Sequence, residues 1–268
     1  MSAADESEDA IIVSAYFRIP SKTSHEFYVP HVKRFLSSVE AEIVFFTTPD
    51  LVEQLRAMRP ASMRPVLFVA LAHGVHDFVG VRTYGFGFFR DQCAADPEKY
   101  HTPELAAVWY EKKEFVKRAI EMVRLNRRED VVDRIPFIWC DAGCIRTDAW
   151  LPKVRSFGTG LIRFTTTTTK KLSLQLLNEP PTDKRFFAYP DVHVAGAIIV
   201  GCADAWIKCG RLYDRTLREC LLNGVCVTSD QYVWMSTAVA HPDDFDLVLV
   251  PSTGVVDRWF YFLNYLLT

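Results

Sequence analysis

The sequence lacks a hydrophobic run long enough to cross a membrane, and it lacks a strong net charge. No apolar stretch reaches the roughly 20 residues that a transmembrane helix needs. Lysine and arginine number 31 and aspartate and glutamate number 33, which gives a net charge of -2. A chain with this balance does not have the general attraction of a nucleic-acid binder, so we expect any recognition of phosphate to be local.

The chain also lacks the cysteine pattern of a zinc site or a disulfide framework. Its seven cysteines follow an acidic, polar N-terminus without secretory character. Cys140 and Cys144 are four residues apart, but no second pair with zinc-ligand spacing accompanies them. We therefore expect reduced cysteines and a cytoplasmic protein.

What the sequence does contain is an alternation of strand and helix patterns. Short, β-branched apolar runs predict buried strands at residues 11–17, 42–48 and 65–71. Helical spacing predicts helices at 31–39 and 51–58, the second with Asp50 as its N-cap. This order predicts an α/β fold in which a mostly parallel central sheet is flanked by helices.

The second half of the chain continues the alternation. Helices are predicted at 102–124, 203–222 and 229–240, and strands at 136–141, 172–177, 194–201 and 245–250. The threonine run 165–169 is β-prone. Within residues 72–100, the stretch VGVRTYGFGFFRDQ at 79–92 is rich in glycine and aromatics and is predicted to form a long functional loop. Without repeats or a low-complexity linker, we expect a disordered tail at 1–10 and a single domain at 11–268.

One predicted strand ends on a lone carboxylate and a flexible turn. Residues 136–146 are PFIWCDAGCIR, so Asp141 lies at the strand end and Gly143 permits close approach of the backbone to a ligand. Ligands of open α/β sheets bind beyond the carboxyl ends of the strands. Asp141 could hold a divalent cation that bridges phosphates, bind a ribose hydroxyl, or cap the next helix or turn.

The chain resembles the HtrL/YibB-like family of glycosyltransferases, which are of GT-A type. The resemblance is carried by IIVSAYF at 11–17, by the stretch 110–120 with its paired lysines, and by FIWCDAG at 137–143. In addition, VHVAGAIIVG at 192–201 is similar to the segment that faces the donor sugar in GT-A enzymes, and SDQ at 229–231 follows the next helix. The resemblance covers most of residues 11–250 and implies a GT-A-like fold.

The resemblance also implies a site for a nucleotide-sugar donor. In it, Tyr16 would stack on the nucleobase, one of two lysines would reach the diphosphate, and the sugar would pack against backbone. The implied donor-binding residues are Ala15, Tyr16, Lys112, Lys113, Asp141, Gly143, Gly196, Ala197 and Gln231. Each has a structural alternative, such as ring packing for Tyr16, a charged helix face for the lysines or a strand bulge at Gly196.

The sequence departs from the GT-A pattern at the metal-binding D-x-D motif. Gly143 stands where the second aspartate is usual, and only Asp141 remains. Asp141 with phosphates and waters could hold Mn²⁺ or Mg²⁺. Alternatively, a cationic side chain neutralises the diphosphate without metal, and the candidates are Lys112, Lys113 and Arg146.

Glycosyl transfer with inversion also needs a base that takes the proton of the acceptor hydroxyl. Asp230 is one candidate, because it begins a helix beyond the donor-facing segment, although helix capping is an alternative role. Asp77 is a second candidate, in HGVHDF after the third strand. In a retaining enzyme, Asp230 and Gln231 would flank the sugar instead.

The resulting hypothesis is the transfer of a sugar from a nucleotide-sugar donor to a hydroxyl of a glycan or glycoprotein acceptor. We expect a UDP-linked hexose or pentose, and an acceptor ring could stack on Trp206, Trp234 or Trp259. A non-catalytic glycan- or nucleotide-sugar-binding protein and a nucleotidyltransferase-type enzyme remain alternatives. The stretch AYFRIPSK after the first strand contains neither G-x-G-x-x-G nor a P-loop, which disfavours a dehydrogenase or kinase.

The C-terminal segment VVDRWFYFLNYLLT is the one candidate for peripheral membrane contact. Its aromatic and leucine residues could form one face of a helix lying on a membrane. It lacks the flanking lysine and arginine residues of interfacial helices, however, so docking on the protein core is favoured.

Overall fold

Seven β-strands form one sheet at the centre of the computed structural model, which describes residues 9–158, 170–255 and 257–266. In chain order the strands are β1 (Ile11–Ala15), β2 (Glu42–Thr47), β3 (Val66–Ala70), β4 (Pro136–Cys140), β5 (Leu172–Leu176), β6 (Val194–Cys202) and β7 (Phe245–Leu249). Across the sheet the order is β3-β2-β1-β4-β6-β5-β7. β6 runs antiparallel to both of its neighbours, whereas the other pairings are parallel.

Helices cover both faces of this sheet. In chain order they are α1 (His25–Ser38), α2 (Pro49–Arg56), α3 (Val79–Tyr84), α4 (Phe86–Ala95), α5 (Pro103–Arg124), α6 (Glu129–Val132), α7 (Leu151–Val154), α8 (Ala203–Leu222), α9 (Asp230–Ala240) and α10 (Phe262–Tyr265). Helices α3, α4, α5, α8 and α9 contribute to one core, and α1, α2, α7 and α10 to a second. The prediction of an α/β fold with a mostly parallel sheet flanked by helices is confirmed.

Helix α5 is the long helix that positions the site. Thr102 caps its start, because the Thr102 Oγ1 accepts a hydrogen bond of 3.2 Å from the backbone N–H of Leu105. In its middle, the Phe115 ring stacks on Phe46 of β2 at 4.6 Å and on Trp139 of β4 at 6.0 Å between centroids. These contacts fix the helix against the sheet just below the carboxyl ends of its parallel strands.

Charged residues in the middle of α5 are buried, and several of their partners come from other parts of the chain. The Glu111 carboxylate accepts hydrogen bonds from the N–H groups of Val79 and Gly80 at 2.8 and 3.0 Å. It therefore satisfies the first turn of α3, whose N–H groups have no partner within their own helix. Burial raises the pKa of Glu111 to about 7. Nothing local in the sequence indicates this burial.

The prediction of a long loop at residues 79–92 is wrong, because helices α3 and α4 occupy this stretch. Gly85, at a φ of 78°, joins the two helices in a conformation that favours glycine. Phe89 is buried, and Tyr84, Phe86 and Phe88 pack against the same core. The aromatic composition that suggested a ligand loop therefore reflects core packing.

Two smaller predictions are also wrong. β3 is an edge strand with Leu67 52% exposed, not a fully buried strand. Helix α2 follows Thr48 and has Pro49 at its first position, so Asp50 is not its N-cap. The threonine run 165–169 and residues 1–8 of the predicted tail lie outside the described residues, and those predictions remain untested.

The aromatic C-terminal segment packs on the core around α10. Phe260, Phe262, Leu263 and Leu266 are buried, whereas Trp259 is 39% exposed. This arrangement agrees with docking on the core. Within the described residues, no helix combines the length and the apolar character that a membrane span requires.

Candidate functional site

A cavity of about 360 Å³ opens where β1 and β4 end and β6 begins. Parallel strands bring their carboxyl ends to one edge of the sheet, and the reversed β6 brings its first residues to the same edge. Most of the predicted site residues line this cavity, namely Ala15, Tyr16, Lys112, Asp141, Gly143, Gly196, Ala197, Asp230 and Gln231. They come from five separate segments of the chain.

One hydrogen bond to its side chain and one from its backbone fix Asp141 at the carboxyl end of β4. The indole Nε1–H of Trp139 donates a hydrogen bond of 2.8 Å to Asp141 Oδ1. The Asp141 backbone N–H donates at 2.8 Å to the Ala197 carbonyl, which continues the pairing of β4 with β6. The Lys112 ammonium lies 3.4 Å from the same Oδ1. Asp141 therefore points its carboxylate to side chains of the cavity and does not begin a helix.

Lys112 joins the two predicted aspartates. It is 3% exposed, and its Nζ donates a hydrogen bond of 2.8 Å to the Gly196 carbonyl. The same Nζ lies 3.1 Å from Asp230 Oδ2. Burial alone would lower the pKa of Lys112, but the carboxylates of Asp141 and Asp230 outweigh it and hold the pKa above its ordinary value. The buried ammonium is charged at neutral pH.

Asp230 is 2% exposed and lies at the first position of α9. Capping does not explain it, because Ser229 is the N-cap of this helix. Burial raises the pKa of Asp230 to about 6, and repulsion from Asp141 adds to the rise, whereas Lys112 opposes it. Asp230 Oδ2 has no aligned hydrogen-bond partner among the described residues, so its contact with Lys112 is an ion pair by distance.

Glycine at position 196 makes room for this carboxylate. A Cβ on Gly196 would lie 2.9 Å from Asp230 Oδ2 and 3.2 Å from Oδ1, closer than side chains normally pack. Gln231 Nε2 donates a hydrogen bond of 2.5 Å to the Val194 carbonyl, which ties α9 to β6. The start of α9 is therefore fixed against the start of β6.

Tyr16 lines the cavity just after β1. Its hydroxyl is 2.6 Å from His25 Nδ1, and the two rings are 5.6 Å apart between centroids. Half-burial of the ring raises the pKa of Tyr16 to about 12, so the hydroxyl is protonated at neutral pH. The ring is anchored at one end and lines the cavity with its apolar body.

The structure places Lys113 and Asp77 away from the cavity. The Lys113 ammonium pairs with Glu114 at 2.6 Å and Asp214 at 2.9 Å, and lies 4.2 Å from the Tyr110 ring. Successive helix residues point about 100° apart, so two adjacent lysines cannot share one target. Asp77 lies in a short 3₁₀ helix and accepts the backbone N–H of His73 at 2.8 Å.

Residues missed by sequence reasoning complete the cavity wall. Arg18 and Lys22 follow β1 on a loop, and the Lys22 ammonium lies 4.5 Å from the Tyr100 ring. Among the three tryptophans considered for stacking, Trp206 and Trp234 are buried in the core, and Trp259 lines the cavity. The basic stretch FRIPSK directly after a strand was a usable signal for the loop.

A cluster of two carboxylates and one histidine lies on the same wall. Asp96 Oδ2 is 2.7 Å from His101 Nδ1, and Glu98 Oε2 is 3.7 Å from His101 Nε2. The three side chains offer atoms that lie within 4.8 Å of one another and could hold a metal ion. Glu98 and His101 line the cavity, and Glu98 also accepts a hydrogen bond from the Tyr100 hydroxyl.

Comparison with known proteins gives a likeness in structure but no match in sequence. No family model matches the chain, and no curated protein matches its sequence. Among solved structures, the chain is similar to mouse xyloside xylosyltransferase 1 in its apo form, with a TM-score of 0.45 and 11% identity over 90% of this chain and 85% of that chain. These comparisons give no support to the expected membership of the HtrL/YibB-like family.

Proposed function

We propose that the protein is a glycosyltransferase that uses a nucleotide-sugar donor. The observation that carries this proposal is the convergence of Asp141 and Asp230 on the buried Lys112 ammonium, inside a cavity at the carboxyl ends of the parallel strands. The cavity volume lies in the range of about 300–1,000 Å³ found for small-molecule sites. Fixed charges in such a site can hold a polar ligand and act on it.

In the proposed complex the donor lies across the carboxyl ends of β1 and β4. Tyr16 stacks on the base, as its anchored ring allows. The described contacts of the Asp141 carboxylate use Oδ1, which leaves Oδ2 for a ribose hydroxyl. The sugar packs against the backbone at Gly196 and Ala197, next to the Asp230 carboxylate.

The reaction breaks the bond between the anomeric carbon and the diphosphate oxygen, and the electron pair leaves with that oxygen. The acceptor hydroxyl oxygen bonds to the same carbon, and its proton passes to the Asp230 carboxylate. A carboxylate whose pKa is about 6 is mostly ionised at pH 7 and basic enough to take this proton. Asp230 lines the cavity and Asp77 does not, which supports Asp230 over Asp77 for this role.

UDP release from a panel of nucleotide sugars tests the proposal. The panel contains UDP-glucose, UDP-galactose, UDP-xylose and GDP-sugars, with Asp230→Asn as the comparison variant. We expect slow hydrolysis of one UDP-sugar by the parent protein and a large loss in the variant. If the protein binds UDP but turns over none of these donors, even when glycan acceptors are added, it is a nucleotide-binding protein and the proposal is wrong.

The pH dependence of turnover follows from the raised pKa of Asp230. The groups that face it are Lys112, Asp141 and Tyr213. As pH falls through about 6, the base becomes protonated, and we expect kcat/KM to fall about tenfold per pH unit below that point. Measuring kcat/KM between about pH 5 and 8 checks this, with circular dichroism as the folding control. A flat profile would exclude Asp230 as the base.

Trp259 gives a prediction for the acceptor. Its ring is exposed at the cavity, so we expect Trp259→Ala to raise the KM for a glycan acceptor about two- to tenfold, the value of one ring contact. Hydrolysis of the donor without acceptor should not change. Leu125→Ala, at an exposed residue outside the cavity, is the control and should leave both values unaltered.

A further inference from the structure

The GT-A resemblance implies a divalent metal at Asp141, and the residues around this carboxylate do not fit one. Asp141 Oδ1 already receives the Trp139 indole N–H at 2.8 Å and faces the Lys112 ammonium at 3.4 Å. Mg²⁺ requires near-octahedral oxygen ligands at about 2.0–2.1 Å. The charged, buried ammonium lies close to both Asp141 Oδ1 and Asp230 Oδ2, so it occupies the position of an ion held by both carboxylates. The remaining oxygen of Asp141, Oδ2, is assigned to a ribose hydroxyl in the proposed complex.

The second carboxylate of the cavity is also committed to this ammonium. Asp230 Oδ2 lies 3.1 Å from Lys112 Nζ, and Gly143, two residues after Asp141, has no ligand atom in its side chain. One ammonium therefore sits between both carboxylates. A divalent ion placed between Asp141 and Asp230 would have to displace a buried positive charge or accept its repulsion.

Cationic groups for the phosphates are found elsewhere on the wall. Arg146 lines the cavity, its Nε is buried without a hydrogen-bond partner, and its guanidinium lies 5.3 Å from the Phe260 ring. No carboxylate among the described residues forms an ion pair with it. Arg18 and Lys22 face the same cavity from the loop after β1, and the buried Thr23 Oγ1 there also has no partner.

We propose that this cavity binds the diphosphate of a nucleotide donor without a divalent metal, with Lys112 occupying the inner side of Asp141 and Arg146 contacting the phosphate oxygens directly. The proposal rests on the proposed function for the identity of the donor. Arginine presents a planar fork of N–H donors that matches phosphate oxygens. When the bond to the sugar breaks, the negative charge that appears on the leaving oxygen is balanced by Arg146, supported by Arg18 and Lys22.

The test is the affinity of the protein for UDP, measured by calorimetry with EDTA, with Mg²⁺ and with Mn²⁺. We expect the same dissociation constant in all three conditions. Arg146→Gln should weaken UDP binding about tenfold or more, the value of a charge-assisted contact. Arg146→Lys, which keeps a charge but not the fork, should weaken it less. Arg155→Gln is the control, because Arg155 pairs with Glu40 outside the cavity and should have no effect.

A spectroscopic measurement gives a readout that does not depend on turnover. Electron paramagnetic resonance of Mn²⁺ reports free and bound ion, with and without UDP. We expect the parent protein and Asp141→Asn to take up the same amount of Mn²⁺, because Asp141 does not bind the ion. Uptake that Asp141→Asn abolishes would contradict the proposal. Uptake that only Glu98→Gln abolishes, with UDP affinity unchanged by EDTA, places the ion in the Asp96, Glu98 and His101 cluster and agrees with the proposal.

The outcomes separate this inference from the proposed function. UDP binding that requires Mn²⁺ overturns the inference and leaves the transferase proposal standing. Metal-independent UDP binding that depends on Arg146, without turnover of any donor, supports the inference and contradicts the transferase proposal. Absence of UDP binding under all three conditions contradicts both. Thermal unfolding of each variant confirms that a loss of binding is not a loss of fold.

Discussion

Lys112→Met should lower the free energy of unfolding by about 3–5 kcal/mol, because it leaves two carboxylates near a buried position without their counter-ion. The substitution should also abolish measurable UDP binding, because Asp141 and the Gly196 carbonyl lose the ammonium group that both contact and that fixes their positions in the cavity. Methionine has a similar length and fills the space, so the change removes charge more than volume. Urea denaturation and calorimetry measure the two effects.

The cost of this substitution should depend on pH in a defined direction. Asp230 has a folded-state pKa raised above its ordinary value, so its stabilising contribution is present at low pH and is lost as pH rises through about 6. Without Lys112, the cation that opposes this rise is gone, and the pKa should rise further. The destabilisation of Lys112→Met relative to the parent should therefore be larger at pH 8 than at pH 5.

Lys113→Met is the matched control for this prediction. Lys113 is the adjacent residue of α5 and is also buried against carboxylates, but those are Glu114 and Asp214 outside the cavity. We expect this variant to lose stability and to keep the UDP affinity of the parent. Equal loss of UDP binding in both variants would mean that the helix, and not the Lys112 charge, is what the ligand requires.

Gly196→Ala should reduce kcat about 100-fold with little change in UDP affinity. The added methyl would stand 2.9 Å from Asp230 Oδ2, so the carboxylate must move away from the strand. A displacement of about 1 Å at a catalytic group can cost about 10²-fold in rate. Steady-state kinetics with the preferred donor and UDP calorimetry separate the two effects.

A glycine elsewhere in the chain shows whether the methyl or its position matters. At Gly87, in α4, a Cβ would meet only Arg90 Nη2 at 3.7 Å, an ordinary contact. Gly87→Ala should therefore leave kcat unchanged. If Gly196→Ala keeps full activity while folded, Asp230 does not need its present position and the assignment of this residue as base is contradicted.

The sheet could be predicted from the sequence because parallel strands buried on both faces leave short apolar runs that stand out from the rest. The end of one such run predicted that Asp141 lies near a ligand site, because the carboxyl ends of parallel strands lie at one edge of the sheet. The same reasoning wrongly predicted that β3 is fully buried. An apolar run does not show whether a strand has one neighbouring strand or two. The direction of β6 was not predictable from its composition.

The parts of the site that sequence could not supply depend on distant contacts. Nothing local distinguishes Lys112 from Lys113, whose roles are decided by residues far along the chain. For Asp230, the sequence left helix capping as an alternative to the role of base, and only the structure shows that Ser229 is the N-cap. The cluster of Asp96, Glu98 and His101 lies in the connection between α4 and α5, and nothing in the sequence indicated that these three side chains meet.

The single ammonium of Lys112 has a consequence for how the protein unfolds. It touches groups from α5, from the turn after β4, from β6 and from α9, segments that are widely separated along the chain. Such a junction exists only when all four segments are docked, since no local stretch contains it. Partial opening of any one segment should therefore destroy ligand binding, and amide exchange at the start of β6 and α9 should require nearly complete unfolding.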